Sequence, residues 1–87
     1  YNNFPNPFNP HTSIKFNLEL DMEISINIYD IMGRNIKTIV KGFYKSGSHS
    51  IKWYGQNNDG SSVSSGIYFY ELKSQDLNQK RKMVLIK

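Results

Sequence analysis

Ser65-Gly66-Ile67-Tyr68-Phe69-Tyr70-Glu71-Leu72 carries the longest unbroken run of aromatic and β-branched residues in the sequence. Aromatic and β-branched side chains lose rotamer freedom in a helix but pack well against cross-strand neighbours, so the run reads as a strand. Tyr68, Tyr70 and Leu72 share one face while Ile67 and Phe69 take the other, which makes the strand apolar on both sides at its start. Upstream, His49, Ile51 and Trp53 share parity in another strand, and Trp53 is the leading candidate for the centre of the core.

Outward from these two runs the same two-residue period recurs. Ile14, Phe16 and Leu18 alternate with Lys15 and Asn17, and after the acidic stretch Glu19 to Glu23 the pattern resumes at Ile24, Ile26 and Ile28, ending near Tyr29. Asp30-Ile31-Met32-Gly33-Arg34 has a turn-favouring Asp and a Gly able to take positive φ, so it should reverse the chain into Ile36 to Val40. Gly42 to Gly47 reads as a flexible connection, and Gly55 to Ser65 as a long polar loop with Asn58-Asp59-Gly60 at its tip. A short loop from Ser74 to Asn78 precedes the final strand, Met83-Val84-Leu85-Ile86, bracketed by Lys82 and Lys87.

Phe4-Pro5-Asn6-Pro7-Phe8-Asn9-Pro10 cannot be helix or interior strand, because its prolines fix φ and lack donors. Residues 1–11 therefore read as an extended, proline-rich lead-in, with Phe4 and Phe8 as anchors onto the domain. Short strands, polar turns and no helical period describe an all-β domain. A Trp53 followed by Tyr68, whose hydroxyl would bond to upstream backbone, favours an immunoglobulin-like or fibronectin III-like antiparallel β-sandwich of about seven short strands, spanning 1–87 as a single domain. Tyr70 falls where antibody domains carry a cysteine; this chain has none, so aromatic packing must replace the disulfide.

Composition narrows the function. A chain of 87 residues, 38% hydrophobic, supports one core and little material for a deep substrate pocket, so an enzyme is not expected. It contains no cysteine, so thiolate chemistry is excluded. The chain starts at Tyr1 and reads as a piece of a longer protein. The net charge of +4 is mild, and the one tight basic cluster, Lys80-Arg81-Lys82, alternates with a strand rather than forming a nucleic-acid stripe.

The residues that could carry chemistry have ordinary explanations. His49 reads as a partly buried, hydrogen-bonded strand residue, and His11 lacks a histidine at ligand spacing. No serine lies in a nucleophile elbow, and no glycine pattern makes a phosphate cradle. The Asp59 loop, Gln56 to Ser61, is oxygen-rich but supplies one carboxylate, so an ordinary turn is favoured over calcium. No cofactor and no small-molecule substrate is expected; sugar stacking on Tyr44, Trp53 and Tyr54 is a lesser alternative.

Taken together, Pro5, Asn6, Pro7, Phe8, Asn9 and Pro10, then Tyr29-Asp30 with Gly33, then Trp53, then Gly66 and Tyr68, then Arg81-Lys82-Met83-Val84, resemble the type IX secretion sorting domain, type A, and the related immunoglobulin-like domain of the flagellar hook-capping protein. Phe4 stands where the family usually has Tyr, and Tyr54 where it has Asp or Asn. The resemblance implies a C-terminal module that directs a protein through the periplasm and an outer-membrane translocon to the cell surface. It further implies a sortase-like peptidase as a possible partner, and recognition through Lys82, Met83, Val84 and Lys87. The alternative is a structural spacer, or a surface subunit that self-associates through strand edges, without an export role.

Overall fold

A computed structural model describes residues 11–75 and 77–86. The proline-rich motif from Pro5 to Pro10, Phe4 and Phe8 with their expected anchoring role, and Lys87 lie outside the described residues. Among the described residues the chain forms six strands and no helix: β1 Thr12–Leu18, β2 Met22–Tyr29, β3 Asn35–Tyr44, β4 Gly47–Trp53, β5 Gly66–Lys73 and β6 Asn78–Leu85. They make an antiparallel β-sandwich, with β1 and β4 in one sheet and the order β3-β2-β5-β6 in the other.

The alternation that marks the strands also builds the core. Ile14, Phe16 and Leu18 from β1 face Ile24, Ile26 and Ile28 from β2, and Trp53, Tyr68, Leu72 and Leu85 complete the cluster. Each fully buried aliphatic side chain contributes about 1.5–3 kcal/mol of transfer free energy, the main term opposing chain entropy in so short a chain. Trp53 is 1% exposed, and its indole Nε1 donates to the Gln56 carbonyl at 2.9 Å, so the ring is buried without an orphaned donor.

Two sequence expectations need correction. Gly42 is no connection: β3 continues through it to Tyr44, with Gly42 opposite Ile24, and the chain turns at Lys45-Ser46, where the Ser46 amide donates to Asp21 Oδ1 at 2.7 Å. The last strand begins at Asn78 rather than near Met83, because residues Asn78 to Lys82 pair with Lys73 to Phe69 through the backbone although all five are exposed.

The long loop docks on the edge of β3. Asn58 N donates to the Ile36 carbonyl and Asn58 Oδ1 accepts from Thr38 N, both at 3.0 Å, so one asparagine continues the ladder sideways. Asn57 Oδ1 accepts from the amides of Asp59 and Ser61 at 3.0 and 2.9 Å. Two of the side-chain oxygens that gave this stretch the look of a calcium loop are thus engaged, Asn57 Oδ1 in building the turn and Asn58 Oδ1 in docking it on β3. Together with the register shifts between β2 and β3, the loop leaves part of the β3 edge unavailable to another strand.

Candidate recognition surface

β6 has two unlike sides. Met83 and Leu85 turn inward, Leu85 being buried and Met83 packing against the core, while Lys80, Lys82 and Val84 point outward. Of the residues the sequence marked for recognition, Lys82 and Val84 therefore share a face and Met83 does not join them. In the ladder with β5, Lys80 lies opposite Glu71, Lys82 opposite Phe69 and Val84 opposite Ile67. Among the described residues β6 is one of the two edge strands of its sheet, β3 being the other.

Next to this face stands the β2–β3 turn. Asp30 organises it: Oδ1 accepts from the amides of Met32 at 2.9 Å and Arg34 at 3.0 Å, and Oδ2 accepts from Arg34 Nε at 2.8 Å. Two backbone bonds, from Gly33 N to the Asp30 carbonyl and from Asp30 N to the Arg34 carbonyl, close the loop. Gly33 has φ +83°, and a Cβ there would meet nothing, so conformation rather than space demands glycine. The Arg34 amide above all holds the Asp30 carboxyl below its usual 3.8; desolvation opposes it, and the Arg34 guanidinium and the Met32 amide add to the lowering.

Tyr29 bridges turn and sheet. Its hydroxyl donates to Glu71 Oε1 at a long 3.5 Å, and Lys80 Nζ lies 6.0 Å from its ring centroid. At the adjoining end of the sandwich Tyr68 is 6% exposed and its hydroxyl donates to the Ser64 carbonyl at 2.6 Å. Gly66 makes this corner possible at φ +154°, a region that side chains avoid. The aromatic packing expected in place of a disulfide comes from Tyr68 rather than Tyr70: the Tyr68 and Trp53 rings meet edge-on, and Tyr70 is only partly buried.

The histidines take structural positions. His49 Nε2 donates to the Lys45 carbonyl at 2.7 Å and its ring stacks on Phe16, 5.2 Å between centroids; His11 lies against Tyr54. An open trough of about 690 Å³ is lined by Glu19, Asp21 and Glu23 together with Leu20 and Leu77. Among the described residues no group of three or more His, Cys, Asp or Glu could hold a metal ion.

Sequence reading marked Val84 but missed the other apolar members of the outward face, Ile31, Met32 and Ile67. Ile31, Met32, Ile67 and Val84 are 69%, 75%, 44% and 50% exposed. Signals existed for two groups: an apolar pair inside a turn, and β5 apolar on both faces.

By fold the chain belongs with small antiparallel β-sandwiches, and a solved structure shares that fold. The crystal structure of FlgD from P. aeruginosa superposes with a TM-score of 0.68 at 21% identity over 86% of this chain. The chain spans 58% of that FlgD chain. No curated protein sequence matches it. The sequence profile of the secretion system C-terminal sorting domain matches residues 2–87, and the chain belongs to that family. It is thus a secretion sorting-signal domain, of a kind that serves export to the cell surface or extracellular space.

Proposed function

We propose that this chain is the address of a protein that crosses the periplasm and leaves through a type IX outer-membrane translocon, and that it acts by being bound rather than by catalysis. The match of residues 2–87 to the sorting-domain family carries the reading. The outward side of β6 supports the choice of contact, because Lys82 and Val84 are exposed on an edge strand of the sheet. Met83 serves this surface from within, by holding β6 on the core.

Fusion of this chain to the C-terminus of a periplasmic reporter, in a host with the type IX machinery, tests the reading. Surface location of the reporter is the expected result, and removal of residues from Arg81 onward should keep it in the periplasm. Normal export by a truncation shown to be folded would overturn the assignment of the contact to β6.

A second reading is favoured by the likeness in fold to FlgD: a structural spacer that stays attached and contacts neighbours through strand edges. It predicts that the fusion remains where the reporter alone would be.

A further inference from the structure

Ile31 and Met32 stand at the tip of the β2–β3 turn, mostly exposed to water. A floppy tip could fold two such side chains back onto the domain. This tip cannot, because Asp30 bonds the amides of Met32 and Arg34 and the Arg34 guanidinium, and Gly33 N closes onto the Asp30 carbonyl. Two large apolar groups are therefore held outward by a fixed scaffold, which is how a binding surface rather than an accidental exposure is built.

They are part of something larger. Ile31 and Phe69 border a depression over Tyr29, Glu71 and Lys80, while Ile31, Met32 and Ile67 border a second on the other side of the turn. Ile67 lies directly across from Val84 in the ladder. One apolar patch thus runs from the turn across β5 onto β6.

Its flank is cationic. Lys80 and Lys82 project from the same face, and among the described residues neither has an ion-pair partner. The Asp30 carboxylate is committed to its own turn, and Glu71 accepts from Tyr29. A partner matching this face carries apolar side chains at its centre and carboxylates opposite the two lysines. An anionic lipid surface is the poorer match, since it favours clusters of basic groups and this patch mixes two lysines with a glutamate.

We infer that this patch is where the secretion machinery docks, through a protein surface that is apolar and bordered by acidic side chains. The inference rests on the export reading. It makes the address a property of the folded domain, assembled from the β2–β3 turn, β5 and β6, rather than of the last strand alone.

The test uses the whole chain fused to the reporter, with Ile31→Ser/Met32→Ser as one variant and Lys80→Glu/Lys82→Glu as another. Folding is checked by the melting curve and by Trp53 fluorescence. Each should lower surface reporter about tenfold or more, the usual scale for losing interface anchors or reversing interface charge, with the melt unchanged. Should the tip variant unfold, Ile67→Thr/Val84→Thr replaces it, since threonine suits exposed strand positions. Parental export by a folded tip variant would overturn the patch while leaving the export reading intact if truncation at Arg81 still blocks export. Failure of the unmodified chain to move the reporter would remove both. Sedimentation of the chain with phosphatidylglycerol vesicles, lost in the tip variant, would reassign the patch to lipid and contradict the protein partner.

Discussion

The ring of Tyr68 meets the indole of Trp53 edge-on, with centroids 5.0 Å apart and planes inclined at 73°. This contact joins the two sheets, Trp53 closing β4 and Tyr68 lying near the start of β5. Because both rings also place their polar atoms on backbone carbonyls, the pair is buried without orphaned donors. It does the cross-sheet work that a disulfide does elsewhere, in a chain with no cysteine.

Trp53→Ala should remove a large part of the domain's stability. Emptying so large a buried site costs about 3–5 kcal/mol, against a total stability of about 5–10 kcal/mol for a chain of this length. Urea denaturation followed by far-ultraviolet circular dichroism measures it, and a loss under 1.5 kcal/mol, roughly half the lower bound, would mean the indole is not central. Tyr68→Phe keeps the ring and removes only the bond to Ser64, so it should cost about 1 kcal/mol.

Asp30 gives a pH dependence with a definite sign. Its carboxyl is held below 3.8 in the folded chain, so the unfolded chain binds the proton more readily. The turn's contribution is complete above that value and is lost as the pH falls through the lowered folded pKa. Amide shifts of Met32 and Arg34, followed by NMR, should move together on acidification with a midpoint below 3.8. Movement centred above 3.8 would contradict the clamp.

Gly33→Ala should destabilise by about 1–2 kcal/mol, the cost of placing a Cβ in left-handed backbone, although no atom obstructs it. Thermal denaturation reports it. A neutral or stabilising effect would show that the turn takes another conformation.

Asn58→Ala removes the side-chain acceptor for Thr38 N while leaving the Asn58 amide bond to Ile36. Hydrogen exchange at Thr38 should accelerate, with strands β5 and β6 unaffected. Unchanged protection at Thr38 would mean the loop does not seal the β3 edge.

The legible parts of this fold are those where burial writes a pattern. Ile14, Phe16 and Leu18, or Ile24, Ile26 and Ile28, must alternate because one face meets the other sheet, and the sequence shows it. Residues Asn78 to Lys82 meet no such demand: they are all exposed, held by backbone bonding to β5, so the strand's beginning leaves no apolar trace. Gly42 misled for a related reason, since glycine ordinarily breaks a pattern and here continues the ladder opposite Ile24. The candidate surface was half visible. Lys82 and Val84 were marked by motif, whereas Ile31 and Met32 are brought beside them by a turn whose geometry no two-residue period encodes.

On the proposed reading, this folded sandwich is itself an address. Locating a periplasmic reporter that carries the whole chain at its C-terminus, in cells with the type IX machinery, tests it most directly. Reporter accessible at the cell surface, and lost from it when the machinery is inactivated, is the predicted result. A fused domain that melts cooperatively yet leaves the reporter in the periplasm would contradict it.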